Sequence, residues 1–314
     1  LDPSHNCAQW SGMRAIFVLT PSESKRLIAK AVAQLPEVKR ALAEGEIVIG
    51  HGSTNVYVAE EILGECPKRD QFLSGLIING TLCLTQPEEK PPMIVIRRGK
   101  LVPPEPTMEE VLKNFGPESV FIKGANAVDP EGNAGVFTAH PSGGTIGFAY
   151  GILSARGCKL IVPVGLEKLI PSVPMAARLC GQGLFYYSQG TRVGMIPLVN
   201  AKVITEIQAF EILFGLEAHH VGGGGVGGSE GSVVIVAEGE KGALDRAIRL
   251  IESIKGEPPL RPKKSLCINC LPTTPSKLAK PEEQFPGLVA NHCMFRGRRE
   301  EELPAYMQQR VARG

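Results

Sequence analysis

Apolar and polar positions alternate between two rhythms along most of this chain. Residues 21–35, PSESKRLIAKAVAQL, place Leu27, Ile28, Ala31, Val32 and Leu35 on one helical face, and Ser22 or Ser24 is expected to cap the helix. Next comes Ile47-Val48-Ile49, a short β-branched run of the kind a strand covered on both faces shows, followed at once by helical periodicity from about Asn55 to Leu63. The same unit recurs. Strands are predicted at 75–80, 92–102, 119–128 and 159–165, and helices at 107–115 and 143–157, the first with the capping-box pair Thr107 and Glu110. Strands alternating with helices predict an α/β fold, a mostly parallel sheet with helices on both faces.

The texture changes near Asn200. From there the order reads strand, helix, two strands around a glycine-rich connection, then an amphipathic helix carrying Leu244, Ala247, Ile248, Ile251 and Ile254. That β-α-β-β-α order predicts a small ferredoxin-like α+β unit over 201–256. The main domain is then 15–200, residues 1–14 are a disordered N-terminal segment with Met13 as a natural start, and the Pro-rich stretch 257–314 is an extended arm.

Composition narrows the function classes. With 314 residues, 43% hydrophobic and a net charge of +2, the chain can build a sizeable core and has no general basic character, so nucleic acid is not an expected partner. Short basic clusters at Arg261–Lys264 and Arg296–Arg299 read as solvated. No apolar run reaches the roughly 18–20 residues of a membrane span, and LDPSHNCAQWSG lacks the basic start and apolar centre of a signal peptide. Eight scattered cysteines fit reduced thiols, so a cytoplasmic protein is expected.

Chemistry is expected where strands exit into helices. The turn Gly50-His51-Gly52-Ser53-Thr54-Asn55 offers a glycine for close approach, side-chain donors and the free amides of a helix start, which together suit an anion such as phosphate. A plain cap by Ser53 or Thr54 accounts for the same residues. A second exit, AVDPEGNAGVFTAHPSGGTIG (127–147), feeds a helix through Gly143, Gly144 and Thr145 and carries Asp129, Glu131 and His140. If the two strands are neighbours, both turns face one crevice. Asp-Pro-Glu-Gly-Asn is also a good turn in its own right.

These stretches carry a family resemblance. VIGHGSTN resembles the phosphate-binding G-T-G-S-T loop of ribose-5-phosphate isomerases, and FIKGANAVDPEGNAGV is similar to the A-x-x-A-D-x-x-G-N turn of CoA transferases. With GGTIGFAYGILSARGCKLIVPVGLEKLIP, the latter also resembles the corresponding run of the initiation factor 2B and methylthioribose-phosphate isomerase group. The resemblance spans about residues 20–175 in fragments and implies a Rossmann-like fold shared with glucosamine-phosphate deaminases. It implies a phosphorylated small molecule as ligand (sugar phosphate, nucleotide or CoA ester), no required cofactor, and a homodimer. Lys123, Asn126 and Asn133 join the ligand contacts. The chain departs at Asn126, where one branch carries its catalytic acid, and at His51, where the sugar isomerases carry threonine. The CoA transferases' nucleophilic glutamate corresponds to Glu230 in Ser229-Glu230-Gly231.

The catalytic candidates are thus Asp129, Glu131, Glu167, Lys168 and Glu230. Glu167 and Lys168 follow a strand, where a carboxylate could shuttle a proton between adjacent carbons and an ammonium steady the enediolate oxygen. A helix-start acid and a surface lysine is the plainer account. Asn126 in place of an acid favours a non-catalytic ligand-sensing protein, whereas the remaining acids favour an isomerase or transferase. His219-His220 and the glycines after them read as a flap over a ligand or as a long hairpin loop. Cys267, Cys270, His292 and Cys293 have the residue types of a zinc or iron–sulfur site, with free thiols as the alternative.

Overall fold

A computed structural model describes residues 12–86, 89–103, 107–270 and 293–308. The chain opens with β1 (Met13–Leu19), α1 (Pro21–Gln34) and α2 (Pro36–Glu44), then β2 (Glu46–Ile49) and α3 (Ser53–Leu63). Two hairpins follow, β3 (Gly75–Ile78) with β4 (Thr81–Leu84) and β5 (Ile94–Arg97) with β6 (Lys100–Val102). Then come α4 (Met108–Leu112), β7 (Val120–Ile122), β8 (Ala127–Val128), β9 (Ala134–Thr138) and α5 (Gly144–Arg156). β10 (Lys159–Pro163), α6 (Val173–Leu179), β11 (Gly194–Leu198), β12 (Lys202–Ile204) and α7 (Glu206–Phe214) lead to β13 (Glu217–Gly224), β14 (Ser232–Gly239) and α8 (Lys241–Ile254).

The principal sheet has six strands in the order β12-β10-β7-β2-β5-β6. Its first four are parallel, with Ile161 and Ile49 both in register with Ile122, and β5 and β6 close one edge antiparallel. This is a mixed α/β architecture, with eight α-helices among the described residues. The apolar run Ile47-Val48-Ile49 is wholly buried, as a strand covered on both faces must be. At the carboxyl end of α2 the chain packs tightly: a β-carbon on Gly45 would stand 2.6 Å from the carbonyl oxygen of Glu118.

A second sheet, β1-β14-β13, is antiparallel. Its inner residues Phe17, Leu19, Val233 and Ile235 belong to the same apolar core as Ile47 and Phe121 of the principal sheet. β8, β9 and β11 form a third small sheet. The β-α-β-β-α run of 201–256 is therefore divided: β12 pairs in the principal sheet, whereas β13 and β14 take β1 as their third strand. The predicted strand over 92–102 is a hairpin, because Arg98 (φ 47°) and Gly99 (φ 72°) adopt the left-handed pair that a two-residue turn requires.

Helix α1 is capped by Thr20, not by Ser22 or Ser24. Its hydroxyl accepts from the Glu23 amide, the Glu23 carboxylate accepts from the Thr20 amide at 2.9 Å, and Pro21 supplies a preset first turn. Glu23 also accepts from Lys255 Nζ at 2.7 Å and from the Gly256 amide at 2.9 Å, so one buried carboxylate joins the start of α1 to the end of α8. No described helix is long and apolar enough to cross a membrane.

Candidate functional site

The four parallel strands end on one edge, and their exits are stitched together. The Gly50 amide donates to the Ile122 carbonyl at 2.9 Å, Lys123 to Ile161 at 3.0 Å, and Val164 to Ile204 at 3.0 Å. Loops leaving β2, β7, β10 and β12 therefore share the carboxyl edge, the side on which parallel sheets present ligand-binding loops.

The exit from β2 is the glycine turn. Gly52 is the N-cap residue of α3 and has no side chain to cap with, so neither Ser53 nor Thr54 caps the helix. Asn55 reaches back, donating from Nδ2 to the carbonyls of Gly50 (2.7 Å) and Ile122 (3.3 Å), which straps the turn to β7. Asn55 Oδ1 and Thr54 Oγ1 are buried without a hydrogen-bond partner. First-turn amides of α3 thus face the edge with no side-chain cap, the condition under which a helix start attracts an anion. His51 turns away. Its Nε2 lies 2.7 Å from the Pro91 carbonyl, so that nitrogen carries the proton, and its ring packs on Phe72 at 4.9 Å. Burial, with Lys90 and Lys123 nearby, pushes its pKa down to about 3, and the imidazole is neutral.

A charged cluster occupies the next exits. Lys123 donates to the Gly124 carbonyl at 3.2 Å, and burial together with the Lys168 charge lowers its pKa to about 8. Lys168 donates to the Ala125 carbonyl at 3.0 Å and is lowered by burial despite the neighbouring Glu167. Glu167 Oε1 stands 3.3 Å from Lys25 Nζ of α1 and 4.0 Å from Lys168 Nζ, and neither carboxylate oxygen has a hydrogen bond. Beneath it lies Glu206, wholly buried, its Oε2 accepting from the Leu166 amide at 2.9 Å. Burial, then repulsion from Glu167, raises the Glu206 pKa to about 7. A carboxyl that titrates near neutrality beside a second acidic side chain, with three lysines at hand, is equipped for proton transfer.

Glu206 and Lys25 were not among the residues singled out in the sequence. Lys25 sits in a helix that reads as ordinary, and Glu206 opens α7 behind Thr205, whose side chain pairs with Gln208 in a capping box. An acid placed at the exit of a parallel strand was the available signal, but its partner lies 39 residues earlier in sequence, at Glu167.

The second turn does not join this cluster. Asp129 accepts from the amides of Val173 (2.8 Å) and Asn133 (2.9 Å) and from Asn133 Nδ2 (3.1 Å), which occupies both oxygens in holding a turn. Burial would raise its pKa, but these bonds hold it below the usual carboxylate value. Glu131 is exposed at the turn's tip. Asn126 Oδ1 accepts from the Phe137 amide at 3.0 Å, a bond within the β8–β9 sheet. Gly143 (φ 80°) and Gly144 (φ 61°) shape the start of α5 with Thr145, and a β-carbon on Gly143 would lie 2.9 Å from Gly147 Cα. Among the described residues no hydrogen bond or ion pair links 140–145 to 50–55, whereas 123–125, 165–168 and 206 do form one cluster.

The glycine-rich connection does reach the cluster. A β-carbon on Gly231 would lie 3.8 Å from Glu167 Cβ and 3.2 Å from Pro21 Cγ. Glu230 itself is exposed, accepting from the Gly228 amide at 2.9 Å. At the opposite, amino-terminal edge of the sheet a concavity of about 560 Å³ is lined by Gly45, Glu46, Arg97, Asn114 and Glu118. Two of its charges are paired, Arg97 with Glu46 at 3.2 Å and Glu118 with Arg40 at 2.6 Å. Of the metal candidates, His292 lies outside the described residues, and no three His, Cys, Asp or Glu side chains among the described residues are grouped around one point as ligands. Comparison with known proteins found no matching family model, no matching curated protein and no matching solved structure.

Proposed function

We propose that the carboxyl edge of the principal sheet binds a small phosphorylated molecule and catalyses proton transfer on it, as in aldose–ketose isomerisation. The observation that carries this reading is the partial burial of Lys25, Glu167 and Lys168 and the full burial of Glu206, from three separate segments, beside the uncapped start of α3. Four charged side chains are costly to remove from water, and structure alone could be built more cheaply from apolar ones. The α3 amides and Lys123 suit the phosphate. A carboxylate of the Glu167–Glu206 pair takes the proton from the carbon beside the carbonyl and returns it to the neighbouring carbon. Lys168 steadies the enediolate oxygen between the two steps.

The four parallel strands, with loops meeting at their carboxyl ends, support a Rossmann-like reading of the principal sheet. The division of 201–256 between two sheets removes support from a separate ferredoxin-like unit. Acyl transfer from a CoA ester through Glu230 is the second reading, favoured by Gly231 lying against Glu167.

The test is a thermal-shift screen with ribose 5-phosphate, glucosamine 6-phosphate, a nucleotide and acetyl-CoA, followed by NMR in deuterated water. A bound sugar phosphate should raise the melting temperature and exchange deuterium into the carbon next to its carbonyl. Binding without exchange leaves a sensing role and ends the isomerase reading. If no compound shifts the melting temperature at millimolar concentration, the phosphate site is wrong.

A further inference from the structure

We propose that Cys83, Cys267, Cys270 and Cys293 form a tetrathiolate site for one thiophilic metal ion of the zinc or iron type, which staples residues 264–270 and 293–308 to the β3–β4 hairpin. Three stretches of chain far apart in sequence supply the four thiols, and the backbone brings them together. Lys264 pairs with Thr85 in an antiparallel bridge, and the Ser265 amide donates to the Leu84 carbonyl at 2.8 Å, which lays the approach to Cys267 alongside the strand that carries Cys83. Cys267 to Cys270 make a single tight turn, with the Cys270 amide on the Cys267 carbonyl at 3.3 Å. The same carbonyl accepts from the Gly297 amide at 2.7 Å, docking the 293–297 turn onto the Cys-x-x-Cys turn.

The local chemistry suits thiolates. The Arg296 amide donates to the Cys293 carbonyl at 3.2 Å, which closes a turn whose Phe295 and Arg296 amides favour the thiolate form of Cys293. Lys264 is buried at 1% exposure, and its charge acts on both Cys83 and Cys267, while Arg296 acts on Cys270 and Arg298 on Cys293. Four thiolates around a dication carry a net charge of about −2, and these three cations, set against Glu300 at 3.8 Å from Lys264, offset it.

A staple is also what this segment lacks. Its apolar cluster consists of Cys267, Phe295, Leu303 and Met307 with Cys293 against it, separate from the main core. So small a cluster is the situation in which metal binding and folding become one event. No three of these donors are yet grouped around one point, so the ion has to draw the sulfurs inward as they ionise. The four-coordinate, all-sulfur set selects zinc or iron over hard cations. His292 is not needed as a ligand once Cys83 completes the set.

The experiment is elemental analysis of the full chain, made without an affinity tag and passed through gel filtration. About one zinc or iron per chain is expected, colourless for zinc and with visible sulfur-to-iron absorbance for iron. Cobalt reconstitution of the wild type should give the intense visible bands of a tetrahedral thiolate site. Four thiols should become reactive toward a thiol reagent only after chelation. C83S should lower the metal content and C158S should not. Metal-free protein that stays spectrally silent with cobalt and exposes its thiols without a chelator overturns the proposal. So does a mass deficit of two hydrogens, which would show a disulfide, and full metal content in C83S removes Cys83 from the set.

Discussion

Lys25 on α1 and Glu167 on the turn after β10 meet at 3.3 Å, with 13% and 12% of their side chains exposed. The pair fixes the first helix against the carboxyl edge of the sheet. A partly buried pair of this kind should show a coupling energy of about 1–3 kcal/mol in a double-mutant cycle. Lys25→Met and Glu167→Gln, singly and together, measured by urea denaturation, give that number. Additive effects within about 0.3–0.5 kcal/mol would show that the two residues do not act as a unit.

Gly165 offers a gentler way to move Glu167. Its φ of −77° suits any residue, but a β-carbon there would fall 1.7 Å from Glu167 Oε2. The obstacle is the far end of a flexible side chain, so Gly165→Ala should fold normally and swing the carboxylate away from Lys25. Stability should change by less than about 1 kcal/mol, while proton exchange into a bound sugar phosphate is abolished and phosphate-dependent stabilisation is retained. Unaltered exchange would remove Glu167 from the reaction.

Asp129 illustrates why a turn can resemble a site. With three donors on its two oxygens and 3% exposure, it is a turn-holding residue. Asp129→Ala should cost about 3 kcal/mol, since several buried amides lose a charged acceptor at once. The variant, where folded, should bind and turn over ligand as the wild type does. Because its folded pKa is depressed, the stability it contributes is present above the unfolded carboxylate pKa and is lost as pH falls through the folded one. A selective loss of turnover in a stable Asp129→Asn protein would restore it to the chemistry.

Much of this was legible locally. The buried run Ile47–Ile49, the turn after it and the amphipathic α8 follow from periodicity, and Asp129–Asn133 reads correctly as a turn because its signal is local. What escaped depended on distant partners. β1 alternates over MRAIFVL, but only pairing with β14 makes it a strand in a sheet, and that same pairing draws β13 and β14 away from β12. Asn79 (φ 52°) and Gly80 (φ 69°) make a tight hairpin turn inside a stretch that reads as strand alone. Glu206 gains its character from Glu167 and from complete burial, neither of which leaves a mark on neighbouring residues. The approach of Cys83 toward Cys267 likewise needs the 264–265 backbone to run beside β4.

Arg26 is the hub of a network that holds α1, α3 and the end of α8 together. It pairs with Glu60, with Glu61 at 2.9 Å and with Glu257 at 3.0 Å, and its guanidinium lies 4.9 Å from the Tyr57 ring centroid. Burial disfavours its charge, but the carboxylates outweigh that and raise its pKa. Arg26→Met leaves Glu60 and Glu257 with Arg69, at 2.6 and 3.5 Å, and Glu61 with Lys30 at 3.2 Å, so it should cost about 1–3 kcal/mol. Arg14 makes a comparable bond to Glu238 at 3.0 Å, but with half its side chain in water, so Arg14→Met should cost less than about 1 kcal/mol. Denaturant midpoints of the two variants should differ accordingly, and equal losses would contradict the role of burial.

His51 and Glu206 pull the pH dependence of stability in opposite directions. The Glu206 pKa rises from 4.5 to about 7 on folding, so between those values the native state holds a proton that the unfolded chain has lost, and stability falls as pH rises. The His51 pKa drops from 6.5 to about 3, so between those values the unfolded chain binds the extra proton, and stability rises with pH. From pH 5 to 6.5 the two slopes, each about 1.4 kcal/mol per pH unit at most, offset one another in the wild type. Glu206→Gln removes one of them. Its stability should climb over that interval while the wild type stays nearly level, and above about pH 7 the variant should be the more stable protein by on the order of 1–3 kcal/mol. Urea denaturation at half-unit steps of pH measures both curves. Parallel curves would mean that Glu206 is ionised throughout, and with that the neutral carboxyl available for proton transfer at the sheet edge would be gone.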